Sequence, residues 1–199
     1  LAGSTTDLTF QVLASCGATA SLVCSDPQNA VVSGLTPGNT YYLRVASYGS
    51  TPLQTSTFDV CISTQPMTFV STTTAQPTTS SVAAGTTNQQ IIRLVVVTSG
   101  IANPISVTQL NFNTTGTTNT ADITNARVYY TGTSTTFGTT TPFGSVVANP
   151  NGTFSVTGSQ VLAGDASSNT NNYFFLAYDV NCAATATNVL DAQCTSVTV

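Results

Sequence analysis

Apolar and polar residues alternate along much of the chain with a period of two, the pattern of strands that bury one face. Leu8, Phe10 and Val12 share one such face, Tyr41, Leu43 and Val45 a second, and Phe58, Val60 and Ile62 a third. With the short Leu22-Val23 stretch, this predicts about four strands before Thr64. Between them lie two turn signals, Asp26-Pro27 and Leu35-Thr36-Pro37-Gly38-Asn39, in which Pro presets φ and Gly supplies left-handed geometry. Residues 1–64 therefore read as a meander.

Over residues 65–76 the composition shifts to Thr, Gln and Pro, and Pro66 and Pro77 bracket the stretch between them. Such a segment is a stiff linker or the first strand of the next unit, and the second is the expectation here. Strands are predicted at 89–98, 105–113, 126–132, 152–157, 172–180 and 193–199. The first of these carries Ile92, Leu94 and Val96 on one face and Ile91, Val95 and Val97 on the other, so it reads as a central strand covered on both sides. In 105–113 the apolar phase slips from Ile105 and Val107 to Leu110 and Phe112, which predicts a β-bulge near Thr108-Gln109. The predicted fold is all-β, with two β-sandwich units of immunoglobulin-, fibronectin- or jelly-roll-like kind: an incomplete one over 1–64 and a larger one over 77–199.

Composition narrows the function. Among 199 residues there are 40 Thr, but no Lys, Glu, His or Trp. The charges are Asp7, Asp26, Asp59, Asp122, Asp165, Asp179 and Asp191 against Arg44, Arg93 and Arg127, for a net charge of −4. Three arginines cannot build the basic patch that phosphate neutralisation requires, which excludes nucleic acid as a partner. Histidine acid–base chemistry, Ser-His-Asp catalysis and lysine nucleophiles are excluded by absence. The longest apolar stretch, 91–97, contains Arg93 and is far shorter than the roughly 20 residues a membrane helix needs, so no membrane insertion is expected. The chain opens Leu1-Ala2-Gly3 with no signal-peptide pattern and reads as a mature or excised piece of an exported protein. Sheet proteins commonly guard their edges with Lys and other charges; this surface is Thr-rich and nearly uncharged, so it can associate without desolvating ions.

Five cysteines at wide spacing, with no CxxC and no His, suit disulfides in an oxidising compartment better than a metal. Cys16 with Cys24 and Cys182 with Cys194 each bracket a short loop between successive strands, a closure that stabilises by about 2–3 kcal/mol per bond. Cys61 is left over. It either pairs with a cysteine outside this sequence or stays a buried free thiol.

The run Gly34-Leu35-Thr36-Pro37-Gly38-Asn39-Thr40-Tyr41 resembles the corner of fibronectin-like and prepeptidase-C-like sandwiches. The resemblance implies that the Tyr41 hydroxyl bonds to backbone upstream and locks an arch. Only the C-terminal half of such a module is covered. From about Ala75 onward, Gly85-Thr86-Thr87-Asn88-Gln89, Asn113-Thr114-Thr115-Gly116, Ala126-Arg127-Val128-Tyr129-Tyr130-Thr131-Gly132, Asn172-Tyr173-Phe174-Phe175-Leu176-Ala177-Tyr178-Asp179-Val180 and Leu190-Asp191-Ala192-Gln193-Cys194 are similar to the N-terminal domain attached to BNR-repeat neuraminidases, found in Bacteroidetes-type secreted proteins. That resemblance implies a β-sandwich accessory module. It carries over no catalytic residue, because the propeller with its arginine triad and Trp-containing Asp boxes is absent.

The remaining candidates are weighed against plainer roles. Scattered Asp side chains are turn and cap residues before they are a glycosidase pair. Asp165, in Ala163-Gly164-Asp165-Ala166-Ser167, is either a turn residue or a contributor to a calcium site. Asn113-Thr-Thr and Asn151-Gly-Thr match glycosylation sequons. If Tyr41, Leu43 and Val45 point inward, then Tyr42, Arg44 and Tyr48 point out; if Val128 and Tyr130 point inward, Arg127 and Tyr129 point out. These outward Tyr–Arg neighbours either contact a glycan or protein partner or merely cover the sheet.

The expectation is a non-enzymatic extracellular module with no metal or cofactor. It is a building unit of a cell-surface fibre or modular adhesin, whose partners are copies of itself or neighbouring domains. The alternative is a carbohydrate-binding accessory module of a secreted glycosidase.

Overall fold

The computed structural model describes residues 2–3, 8–26, 29–36, 38–47 and 57–199. The chain separates into two compact units, Leu1–Thr64 and Gln65–Val199. In the first, β1 (Ala2–Gly3) pairs with β5 (Phe58–Asp59), and β2 (Leu8–Leu13) sits between β3 (Val23–Ser25) and β4 (Tyr42–Ser47). The β2–β4 register sets Val45 against Phe10 and Leu43 against Val12, so the two predicted apolar faces fall on the same side of one sheet. Leu8, Phe10 and Leu13 are buried. Leu43 is exposed, and so are Phe58, Val60 and Ile62, the last 89%. The third predicted core face is thus no core face: β5 has two residues and pairs only with β1, so it brings its side chains to no larger sheet among the described residues. The corner forms as the resemblance implied. Thr36 N–H donates to the Tyr41 hydroxyl oxygen at 2.7 Å, and that backbone bond lowers the Tyr41 pKa.

The second unit is a sandwich. One sheet runs β10-β9-β12-β7-β6, from β10 (Pro142–Ala148), β9 (Ile123–Tyr130), β12 (Thr170–Val180), β7 (Gln89–Ser99) and β6 (Thr68–Ala75). The other runs β11-β8-β13, from β11 (Thr153–Val161), β8 (Ser106–Asn113) and β13 (Gln193–Thr198). Every pairing is antiparallel. The segment 65–76 belongs to this unit and supplies β6.

Leu94, Val96, Val128, Phe174, Leu176 and Tyr178 on the larger sheet meet Val107, Leu110, Phe112 and Val156 on the smaller one, filling the space between layers. Alternation gave Leu94, Val96, Val107, Leu110, Phe112 and Val128 correctly because each of their strands has one face on that core. The strand covered on both faces is β12 rather than β7: all of its residues from Asn172 to Val180 are buried, whereas Val95 and Val97 of β7 are half-buried. The ladder is irregular at the predicted place, but the extra residue lies in the partner strand and not in β8. Thr157 pairs with Gln109 and Gln160 with Val107, so β11 inserts an extra residue opposite Thr108.

Strand β10 was not legible in the sequence. It opens on Pro142 and contains Gly144 at φ 67°, which interrupts alternation. The glycine is required by packing as well as by φ, since a Cβ there would strike the Thr157 carbonyl oxygen where β10 crosses β11.

Candidate functional site

The outer face of the five-stranded sheet concentrates most of the chain's remaining chemistry. Asp179, near the end of β12, pairs across the strands with Asn125 of β9 and shares the outward side with Arg127 and Tyr129. Arg127 Nη2 lies 3.0 Å and Nε 3.1 Å from Asp179 Oδ2. The same oxygen accepts from Asn125 Nδ2 at 2.9 Å, and Oδ1 accepts from the Asn88 backbone N–H at 2.9 Å. Burial alone raises the Asp179 pKa. The hydrogen bonds from Asn88, Asn125 and Arg127, with the cation's charge, outweigh it and hold the carboxyl below its ordinary value. Arg127 is raised in turn, first by its hydrogen bond to Asp179.

Tyr129 does point outward, as expected, but is only 6% exposed. The connection between β9 and β10 folds back over the sheet and sets Phe137 edge-on to Tyr129 at 6.1 Å and against Phe175 at 5.5 Å. The Tyr129 hydroxyl donates to Asn88 Oδ1 at 2.6 Å. Ring and hydroxyl are therefore engaged within the fold, and Arg127 is neutralised within it. What the sequence suggested as a partner-facing Tyr–Arg pair is here an internal clasp.

In the first unit, Tyr42 and Arg44 are exposed. Arg44 Nη1 donates to Gln11 Oε1 at 3.3 Å, and Gln11 Nε2 reaches Cys24 Sγ at 3.8 Å, a polar row across β4, β2 and β3. Tyr48 lies outside the described residues.

All five cysteines are free thiols in the structure, so neither Cys16–Cys24 nor Cys182–Cys194 is bonded there. Cys194 sits on β13 of the smaller sheet and packs against the core, where burial pushes its thiol pKa up to about 11. Cys182 follows β12 of the other sheet and is exposed. Cys16 lies in the turn after β2, Cys24 faces Gln11, and Cys61 is exposed rather than buried.

The aspartates of the larger unit all serve as acceptors. Asp165 Oδ1 takes Ser167 N–H, Ser167 Oγ and Ser168 N–H within 3.0 Å, the turn role. Asp122, buried, accepts Thr185 N–H and Asn188 Nδ2, and Asp191 Oδ1 accepts Ala192 N–H. Asp122 and Asp191 border an open groove of about 550 Å³ between residues 76–91 and 184–191, lined mainly by Thr, Ser, Ala and Val. Among the described residues no group of three or more His, Cys, Asp or Glu could hold a metal ion. Nor is any helix long and apolar enough to cross a membrane.

Sequence reasoning missed Asp179, Asn88, Asn125 and Phe137. Asp179 carried a usable signal: it ends an uninterrupted apolar strand, where a carboxylate needs a cation on a neighbouring strand, and Arg127 was the outward-facing candidate. Phe137, alone in a Thr/Gly run, carried none.

No curated protein matches the chain. A family model does: residues 70–199, well over half of the chain, match the one described as the N-terminal domain of BNR-repeat neuraminidase. By this match, the chain belongs to this family of neuraminidase-associated N-terminal domains.

Proposed function

We propose that the chain is a non-catalytic accessory module of a longer, secreted glycosidase-type protein, with residues 65–199 forming a stiff sandwich that presents glycan or positions neighbouring domains. The observation that carries this reading is the employment of Asp122, Asp165, Asp179 and Asp191: each accepts hydrogen bonds from its own fold, the role of a turn, cap or clasp residue and not of a general acid or base. The family supports it, since its members are the N-terminal domains of such enzymes. The test pairs a chromogenic glycoside assay with glycan binding by monomeric protein. Saturable binding without turnover is expected; turnover abolished by an Asp substitution would overturn the reading.

A second reading, a fibre or adhesin subunit, is favoured by one specific observation. Leu22, Val31, Leu35, Leu43, Phe58, Val60 and Ile62 are all exposed in the first unit. Such a surface can be completed by strand addition from a neighbouring copy, and a head-to-tail contact of that kind gives an open fibre. Light scattering and electron microscopy of concentrated protein separate the two readings: filaments of regular repeat favour the second, a monodisperse monomer the first.

A further inference from the structure

Two arginines stand on the outer face of the five-stranded sheet, and only Arg127 is neutralised from within. Arg93, on β7, lies directly opposite Phe175 of β12 and Ala75 of β6. Its guanidinium carbon sits 5.6 Å from the centre of the Tyr173 ring. Its Nε is buried with no hydrogen-bond partner, and among the described residues Arg93 forms no salt bridge, unlike Arg127. In a chain of net charge −4, a half-buried cation left without an anion is an exception that calls for an explanation. On one side Arg93 is walled by Phe175, fully buried under Phe137. On the other side Ala75 and Thr73 are small and exposed, leaving the approach over β6 open.

Resting on the accessory-module reading, we propose that Arg93 is a binding residue for a carboxylate-bearing saccharide, such as a terminal uronic or sialic acid. A planar guanidinium presents two parallel N–H groups that match a carboxylate, and the cation–π contact with Tyr173 restrains where the guanidinium sits before the ligand arrives. The sugar ring then lies beside donors suited to its hydroxyls. Thr73 offers an exposed hydroxyl side chain at the neighbouring outward position, and Asn171, whose Nδ2 donates to the Tyr173 hydroxyl at 3.4 Å, stands exposed at the near end of β12. A neutral sugar gains nothing from the unpaired charge, and selectivity for acids follows.

The experiment titrates glucuronate, galacturonate and sialyllactose, with glucuronate methyl ester, glucose and lactose as neutral counterparts, into the full chain by NMR and calorimetry. Acidic sugars are expected to bind, with affinity falling as salt rises. Arg93→Gln should weaken them about tenfold or more, the scale of a lost charge-assisted bidentate contact, and Arg93→Lys less. Melting temperature and amide spectra verify that each variant is folded, and Thr73→Val gives a second, smaller loss that does not touch the cation. Equal binding of acids and neutral counterparts, or an unchanged Arg93→Gln, overturns the assignment while leaving the accessory module standing. Absence of binding by every sugar also overturns the assignment, whereas the accessory-module reading falls only to turnover of a glycoside.

Discussion

Residues 1–64 and 65–199 are built from the same Thr-rich, charge-poor material, yet they bury it differently. In the larger unit, Leu94, Val96, Val107, Leu110, Phe112, Phe174, Leu176 and Tyr178 are all fully buried. In the smaller, the side chains that approach this among the described residues are Leu8, Phe10 and Leu13, all on the middle strand of a three-stranded sheet. Composition does not separate them; layering does. A strand face is dried only when a second sheet or a loop lies on it, and the larger unit supplies both: β8, β11 and β13 on the inside, and Phe137 with its loop on the outside. Among the described residues of the smaller unit, alternation of the same quality leaves Leu43 of β4 exposed.

The sharpest way to break the comparison is to cut one large side chain from each unit. Phe174→Ala removes a ring that packs against Tyr130 at 4.8 Å and Phe143 at 5.5 Å, and should cost about 3–5 kcal/mol in the unfolding of residues 65–199. Leu43→Ala, at an exposed site, should cost less than about 0.5 kcal/mol. Calorimetry of the full chain reads both; equal shifts would mean that the first unit's apolar face is covered in solution.

The outer clasp is the next largest effect. Asp179→Asn keeps the volume and removes the charge that holds Arg127, for an expected loss of about 2 kcal/mol, less than a fully buried pair because Arg127 is 35% exposed. The pH dependence follows from the lowered Asp179 pKa. A carboxyl depressed in the fold stabilises above its unfolded value, near about 3.9, and that contribution is lost as pH falls through the folded value. Melting temperature should therefore drop in acid for the parent and drop less for the variant. A parallel acid limb in both would assign the stabilisation to other groups.

Strand existence was legible wherever one face met the core, because burial imposes the period of two that the sequence displays. Ile92-Leu94-Val96 is such a case; residues 173–179 were legible by their continuous apolar run instead, and the Tyr41 corner by a Gly and Tyr spacing that is a local requirement. Strand β10 was lost because its Gly144 serves a crossing with β11, a contact between strands that no local pattern encodes. The clasp was lost for a related reason. Asp179, Arg127 and Asn88 come from separate segments, and their meeting depends on register, which only the assembled sheet fixes. In the first unit the alternation of Phe58, Val60 and Ile62 was read correctly as a pattern and wrongly as burial, because a pattern states which side chains share a face and not what lies on it.

Alkaline pH probes the same contrast from the inside of the sandwich. Burial, with the nearby charge of Asp191, raises the Tyr178 pKa, and burial raises those of Tyr130 and Cys194. Groups raised in the fold stabilise fully below their unfolded values, about 8.5 for Cys and 10 for Tyr, and that contribution fades as pH climbs through the folded ones. The transition of residues 65–199 should thus fall in temperature from about pH 9 upward, and Cys194→Ala should delay the onset. An alkaline limb confined to the first unit would reverse the picture of which unit holds its titratable groups dry.

The smallest expected effect sharpens the comparison most finely, because it tests whether the first unit has cooperative structure of its own. Tyr41→Phe deletes the acceptor for Thr36 N–H and leaves the ring in place. If the corner holds the β3–β4 connection as an arch, amide exchange should quicken across 34–36 and through β4, where Arg44 and Leu43 pair with Gln11 and Val12. Exchange in β7 and β12 should not change, since their ladders belong to the other unit. Faster exchange at Thr36 alone would reduce the corner to a single hydrogen bond, and the first unit to a sheet held by Leu8, Phe10 and Leu13. Faster exchange across β2 and β4 together would make the corner the bond on which that sheet's order depends, and would place the marginal stability of residues 1–64 in one hydroxyl group rather than in a core.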